Sequence, residues 1–333
     1  MSMDRRTFLQ LSAAGALALP ALAAEPRNGM PYRTLGKTGE AVSLLCLGGY
    51  HIGGKELTDA EATAIMRRAV DEGVNFFDNA WQYHDGRSEE RMGQALKDGY
   101  RDKVFLMTKH KGLDAARAQE HLETSLRRLE VDVIDLWQFH EIVHPEQPKR
   151  IYQNGALDFA LKARDEGKIR YIGFTGHHIN STHLEMLAGG FDWDTIQMPL
   201  NVFDYHFRSF QRNVMPKALE KNLGVIAMKT LGGSPGNLLD SKVVSAEECL
   251  RYSMSLPVST VVSGMDSMAV LEKNLALAKA FQPMADDERE ALLARVRPEA
   301  APGRFEVYKT QWHRGSIPVP PGEDPNPEDF FDS

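Results

Sequence analysis

"NFFDNAWQYH" (residues 75–84) is a short apolar run that stops on a carboxylate and passes into an aromatic loop. Phe76 and Phe77 have the character of a buried strand, which leaves Asp78 near its end and Tyr83 in the loop beyond. The same rhythm recurs at residues 42–47, 104–108, 133–139, 169–174, 195–198, 224–228 and 260–263. Between these runs lie segments with apolar residues at helical spacing. Ala64, Ile65, Ala69 and Val70 form one such face, and Leu122, Leu126 and Leu129 form another. Thr58 with Glu61 has the capping-box pattern of a helix start. Strand followed by helix, eight times, predicts an α/β fold: a closed (β/α)8 TIM barrel of parallel strands with a mantle of helices. An open doubly wound sheet allows the same alternation, but no G-x-G-x-x-G turn follows an early strand, and eight units favour closure.

Two segments fall outside the rhythm. "YRTLGKTG" (residues 32–39) reads as the turn of an N-terminal hairpin closing the N-terminal end of the barrel, and residues 30–297 are expected to form the barrel domain. Residues 298–333, rich in proline, glycine and acid, are expected to form an irregular C-terminal arm, with Tyr308 and Trp312 packing it over the barrel.

The first residues have a different character. Arg5 and Arg6 precede an uncharged, alanine-rich run, and Ala21, Leu22 and Ala23 supply the small residues of a cleavage site. A frayed amphipathic helix would need a polar face, which this run lacks. Residues 1–23 are therefore expected to be a signal peptide of the twin-arginine type, with the twin-arginine export machinery as partner and the periplasm as destination. Removing Asp4, Arg5 and Arg6 takes the net charge from −7 to −8, which disfavours nucleic acid and anionic lipid as partners. The run is too short to span a bilayer, so no integral membrane domain is expected. Cys46 and Cys249, both in apolar contexts, do not suggest a disulfide framework or a thiolate metal cluster.

The chemistry of a barrel sits at the C-terminal ends of its strands. Three consecutive runs deliver Asp78, then Lys109 from "VFLMTKH", then His140 from "DLWQFHE", with Tyr83 in the first of the loops. A phenol with a reference pKa near 10 needs help to exchange protons at neutral pH, and a nearby ammonium lowers that value. Asp78 would keep Lys109 charged and aimed, while His140 would hydrogen-bond a carbonyl oxygen beneath Tyr83. Each residue alone has a bland reading: a cap, a packed loop aromatic, a solvated rim charge, a core histidine. Their order on successive strand ends gives the four a joint meaning.

At this point the sequence resembles the aldo-keto reductase superfamily over nearly all of the chain beyond residue 23. "FFDNAWQYHDGRSEERMGQAL" is similar to the family's phenylalanine-aspartate-threonine-alanine-x-x-tyrosine segment, and "MTKH" and "LWQFH" sit where the family has its lysine and histidine. Asn79 stands in the place of the threonine, and His84 in that of the glycine after the tyrosine. The resemblance implies Tyr83 as general acid-base, Asp78 and Lys109 as its tuners and His140 as the group that orients a small carbonyl substrate.

It also implies a nicotinamide dinucleotide along the later strand ends. "IGFTGHH" offers Thr175 and Gly176 where relatives hold the carboxamide with serine and asparagine, with His177 as compensation or with His177 and His178 as solvent-facing loop residues. Gln197 and Asn201 match family positions, and Phe203 or Tyr205 could stack on the nicotinamide. "MKTLGGSPG", with Lys229, Leu231 and Gly232, resembles the loop that wraps the pyrophosphate. After the last run Gly264 and Asn274 keep their places, but Asp266 and Ser267 occupy the stretch where a cation would grip a 2′-phosphate. NADPH remains expected over NADH, with Arg208 and Lys273 as surrogate cations. For the substrate, Tyr50, Trp81, His110 and Trp312 are the expected lining, with His51 and Glu141 nearby. The competing reading is a slow or non-catalytic nucleotide-sensing module on the same fold. A glycosidase would need paired strand-end carboxylates, and Glu141 lacks an evident partner.

Overall fold

The computed structural model describes residues 25–233 and 237–310. The expected signal segment, residues 234–236 of the glycine loop and Trp312 lie outside the described residues.

An antiparallel pair, β1 (Tyr32–Thr34) and β2 (Ala41–Ser43), precedes the barrel. The barrel strands are β3 (Leu45–Gly48), β4 (Phe76–Asp78), β5 (Phe105–His110), β6 (Ile134–Phe139), β7 (Ile169–Thr175), β8 (Thr195–Pro199), β9 (Gly224–Met228) and β10 (Thr260–Gly264). They pair in parallel in chain order and close through β10 onto β3. Helices fill the crossovers. Thr58 caps Asp59–Asp71 through the expected reciprocal box with Glu61. Helices Arg87–Ala95 and Ala115–Leu129 follow β4 and β5.

Side chains alternate in and out along a strand, so a closed barrel has two separate apolar regions. Cys46, Phe76, Phe105, Met107, Leu136 and Ile226 pack together inside. Leu35 and Val42 of the hairpin join that cluster and close the floor, as expected. Gly36, at φ +50°, lets the hairpin turn lie against the backbone where β9 begins; any Cβ there would strike Gly224 N. The larger core lies between strands and helices, where Ile65, Leu122, Leu129, Trp137 and Phe174 are buried.

The inward parity also defines the upper rim. Two residues on from Cys46, Phe76, Met107 and Ile226 are Gly48, Asp78, Lys109 and Met228. The same parity reaches Gln197 and Gly264, and, four residues on from Leu136 and Tyr171, His140 and Thr175. One position per strand thus makes a top layer, in which Asp78, Lys109 and His140 fall, with Tyr83 in the loop beyond Asp78.

The last helix, Asp286–Ala300, runs through the boundary expected at residue 297, with Pro298 inside it. Beyond Ala300 the described part of the arm, residues 301–310, returns to the barrel mouth. Tyr308 is buried there, as the aromatic arm led one to expect. Cys46 and Cys249 are buried thiols.

Candidate active site

Asp78, Lys109, His140 and Gln197 meet in the top layer because their strands deliver them at one parity. The Lys109 ammonium pairs with Asp78 Oδ1, donates to Asn79 O at 2.7 Å and reaches Tyr83 Oη at 3.4 Å. Gln197 Nε2 donates to the other carboxylate oxygen of Asp78 at 2.9 Å. The Tyr83 ring stands edge-on to His140 with centroids 5.8 Å apart, and Tyr50 packs edge-on to Tyr83 at 5.3 Å.

The loop that carries Tyr83 is held from both sides. Trp81 N donates to Lys109 O at 2.9 Å, and Tyr83 N to Ala80 O at 3.0 Å. His84 and Asp85 then take left-handed backbone angles, φ 51° and 57°, ahead of Gly86 at φ 99°. Such angles cost non-glycine residues roughly 1–2 kcal/mol each, so something must hold them. Arg128 does: it donates to Trp81 O at 2.8 Å and to Asp85 O at 3.4 Å, and its guanidinium lies over the Trp81 ring. The buried Glu89 carboxylate meets Arg128 at 3.5 Å and accepts from Thr108 Oγ1 at 2.7 Å, tying the clamp to the strand of Lys109. His84, in the place of the family glycine, bonds Tyr50 O at 2.8 Å through Nε2. Arg128 and Glu89 were missed by sequence reasoning; they sit at helix positions whose polarity reads as surface.

Burial, and next the Asp78 carboxylate, push the Tyr83 phenol well above its ordinary value. This corrects the expectation that Lys109 lowers it. The ammonium is committed to Asp78, so desolvation and the carboxylate outweigh it and the phenol is held in its protonated form. Burial also lowers His140 to about 3, with Lys109, Lys111 and Lys229 acting in the same direction against Glu141. The imidazole is neutral at pH 7, and its Nδ1 has no hydrogen-bond partner. Lys229 falls to about 8 through burial, opposed by Glu141.

The profile of the aldo/keto reductase family matches residues 44–248. The chain belongs to the aldo/keto reductase family. On that membership it is an NAD(P)-dependent oxidoreductase. It is similar to the uncharacterized oxidoreductase YrpG of Bacillus subtilis (strain 168), 32% identical over 246 residues, 67% of this chain and 72% of the other. Aldo-keto reductase YhdN of the same organism is 33% identical over 217 residues, 61% and 62% of the two chains. The structure of an aldo/keto reductase from Klebsiella pneumoniae in complex with NADP and acetate shares the fold, with TM-score 0.65 at 23% identity over 80% of this chain and 95% of that one.

Among the other expected site residues of this aldo/keto reductase, the placements divide. Tyr50 is 49% exposed at the mouth. Trp81 stacks on His121 at 3.9 Å, its Nε1 unpartnered. His110 has the opposite parity to Lys109, so it faces outward and stacks on Trp137 at 3.6 Å; it belongs to the mantle rather than to a substrate wall. Glu141 pairs with Lys111.

On the cofactor side, Thr175 lies in the top layer with Gln197, and Gly176 packs against Ile142 O and the ring of His183. His177 and His178 do not face solvent: the His177 ring meets Tyr308 edge-on at 5.9 Å, and His178 Nδ1 lies 2.9 Å from Tyr308 O. Asn201 is fully engaged. Its Oδ1 accepts from Phe203 N and Asp204 N, and its Nδ2 lies within reach of Lys229 O, Glu306 Oε1 and Tyr308 Oη. Phe203 is in the core against Phe305, and Tyr205 packs on His206 beneath Arg212, so neither forms part of the top layer. Lys229 (φ 56°) and Gly232 (φ 90°) make a tight turn, closed by Leu238 N donating to Leu231 O. Gly264 admits the ring of His51. Asn274 donates to Ser263, Ser267 caps helix Met268–Lys279 and Asp266 is exposed. Arg208 reaches Lys309 O in the arm, and Lys273 is exposed. Among the described residues no group of three or more His, Cys, Asp or Glu could hold a metal, and no helix is long and apolar enough to cross a membrane.

Proposed function

We propose that this aldo/keto reductase reduces an aldehyde or ketone to the alcohol, reversibly, with Tyr83 as the general acid-base. One observation carries the reading: the half-buried Tyr83 phenol lies 3.4 Å from an ion-paired ammonium and ring-to-ring with the His140 imidazole. His140 donates to the carbonyl oxygen and orients it. Tyr83 passes its proton to that oxygen as alkoxide character develops, and Lys109 stabilises the phenolate left behind. Asp78 fixes the ammonium, and Gln197 fixes Asp78.

A nicotinamide dinucleotide would supply the hydride. The residues present fit it. Gln197 Oε1 is buried without a partner while its Nε2 is committed to Asp78, which leaves an acceptor suited to a carboxamide N–H. The Thr175 hydroxyl is adjacent in register and has only a 3.9 Å contact with Met228 Sδ. NADPH is proposed over NADH. The Klebsiella relative was solved with NADP, and Lys273 is exposed on the helix that follows β10. A carbonyl compound of moderate size would lie between Tyr50, Trp81 and His140.

Replacing Tyr83 with Phe tests the proposal. Turnover of a panel of aldehydes and ketones with NADPH should fall by roughly 100- to 10,000-fold, as loss of general acid catalysis does, while nucleotide binding by fluorescence titration stays as it was. Unimpaired turnover would refute Tyr83 as the proton donor. Export to the periplasm by the twin-arginine machinery is proposed from residues 1–23 alone; replacing Arg5 and Arg6 with Lys should retain the chain in the cytoplasmic fraction.

A further inference from the structure

The arm carries a cluster of charges that the reaction does not use. Lys309 is fully buried, and its ammonium donates to Asp204 Oδ1 at 2.6 Å, Phe207 O at 2.7 Å and Glu306 Oε1 at 3.0 Å. Asp204 in turn accepts from Phe210 N, Gln211 N and Ser209 Oγ. Holding a chain segment with buried charges is a poor way to gain stability, since apolar packing does so without desolvating ions. What such a cluster does provide is a fixed position, here for Tyr308.

Tyr308 is gripped at every polar atom for which a partner is shown. Its hydroxyl donates to Glu306 Oε1 at 2.7 Å and accepts from Asn201 Nδ2 at 3.1 Å, and its carbonyl lies 2.9 Å from His178 Nδ1. Its ring carries the Lys229 ammonium on one face, 4.7 Å from the centroid. Among the described residues Lys229 makes no carboxylate ion pair, and this cation on the barrel rim lies against an aromatic face. It stands beside the Gly232 turn, close enough that a Cβ at Gly233 would come within 2.9 Å of its Nζ. Gly232 N itself donates to Lys229 O at 2.9 Å, which fixes the turn. A rim cation beside a glycine turn that allows close approach has the chemistry of an anion site.

We propose that Tyr308 is a cofactor-positioning residue: it holds the Lys229 ammonium in the cleft to meet the diphosphate of the dinucleotide, and Asp204, Glu306 and Lys309 rivet it there. This rests on the nucleotide reading given above. It assigns the arm a part in cofactor grip and explains why Asn201 bonds Tyr308 as well as Lys229 O. Removing the ring would leave Lys229 free to swing into solvent, whereas removing only the hydroxyl would leave its seat intact.

Titration of the full chain with NADPH, followed by nucleotide fluorescence across a range of salt concentrations, tests this. Tyr308→Leu should weaken binding by roughly 10-fold, the scale of one desolvated cation–π contact, and flatten the salt dependence. Tyr308→Phe should bind much as the unaltered chain does. Lys229→Met should reproduce the loss, and the Lys229→Met/Tyr308→Leu double variant should be no worse than either single, because both remove one interaction. Lys229→Met removes a rim side chain, so it decides the matter even where Tyr308→Leu fails to fold, which circular dichroism would report. Unchanged affinity in Lys229→Met, or additive losses in the double variant, would overturn the proposal. Absence of binding in the unaltered chain to NADPH and NADH alike would overturn the nucleotide reading, and this inference with it.

Discussion

Lys109 and Lys309 are the two most buried lysines among the described residues, 1% and 0% exposed, and each pairs with an aspartate. They do opposite things. Lys309 directs all its donors to Asp204, Glu306 and Phe207 O, so its bonding capacity is spent on holding the arm. Lys109 satisfies itself on Asp78 and Asn79 O and keeps a third, longer contact of 3.4 Å to the Tyr83 hydroxyl. Burial and pairing are alike in the two halves. The capacity left over, and what it points at, separates the catalytic ion pair from the structural one.

The largest expected effect breaks that comparison directly. Replacing either lysine with Met leaves buried carboxylates without their cation, so both variants should lose about 3–5 kcal/mol in urea unfolding. They should part in turnover. Lys109→Met should reduce kcat by at least roughly 100-fold, since the phenolate formed on proton transfer loses its stabilising charge. Lys309→Met should retain kcat at saturating nucleotide and show its defect in nucleotide affinity. Equal losses of kcat would mean that the arm cluster also serves the chemistry.

Histidines offer a second version of the same contrast, with a smaller effect. His140 in the site and His183 in the mantle are both lowered by burial to about 3. Their unfolded values lie near 6.5, so the unfolded chain binds more protons than the folded one between those limits. The stability they contribute is complete above pH 6.5 and is lost as pH falls toward 3, at roughly 1.4 kcal/mol per pH unit for each histidine. His183→Phe should make the acid limb of stability against pH shallower. A limb of unchanged slope would show that other groups control acid unfolding.

Arg128 sharpens the catalytic side. Its bonds to Trp81 O and Asp85 O bracket Tyr83, so Arg128→Met should reduce kcat by roughly 10- to 100-fold through misplacement of the phenol, with nucleotide affinity preserved. Arg128→Lys, which restores charge but not the two-pronged reach, should recover part of that rate. A loss confined to KM would show that the loop serves substrate entry instead.

These examples also show why one half of the molecule was legible and the other was not. Asp78, Lys109 and His140 could be placed from the sequence because each ends a strand at inward parity, and strand ends are visible in the apolar runs. His110 misled because parity, which turns it outward beside Lys109, is lost when a strand end is treated as a point. Asn201 and Gln197 both matched family positions, yet only Gln197 keeps an unpartnered atom. Asn201 is engaged by Glu306 and Tyr308, more than 100 positions away in the chain. No local pattern announces such a contact. The state of the Tyr83 phenol was misjudged for a related reason: the pairing of Asp78 with Lys109 was readable, but the desolvation of the phenol, which outweighs it, was not.

The smallest effect concerns His84, the residue that follows Tyr83. The residue sits at φ 51°, and relief of that strain by His84→Gly is worth about 1 kcal/mol. Against it stand the lost bond to Tyr50 O, worth about 0.5–1.5 kcal/mol, and the greater freedom of glycine in the unfolded chain. Stability should therefore change by less than about 1 kcal/mol. The consequence belongs to the pocket: Tyr50 would lose its tether and its fixed edge against Tyr83, so KM for a bulky aldehyde should change more than kcat. If kcat fell as far as in Arg128→Met, the left-handed turn itself, rather than the clamp across it, would be what holds the phenol in place.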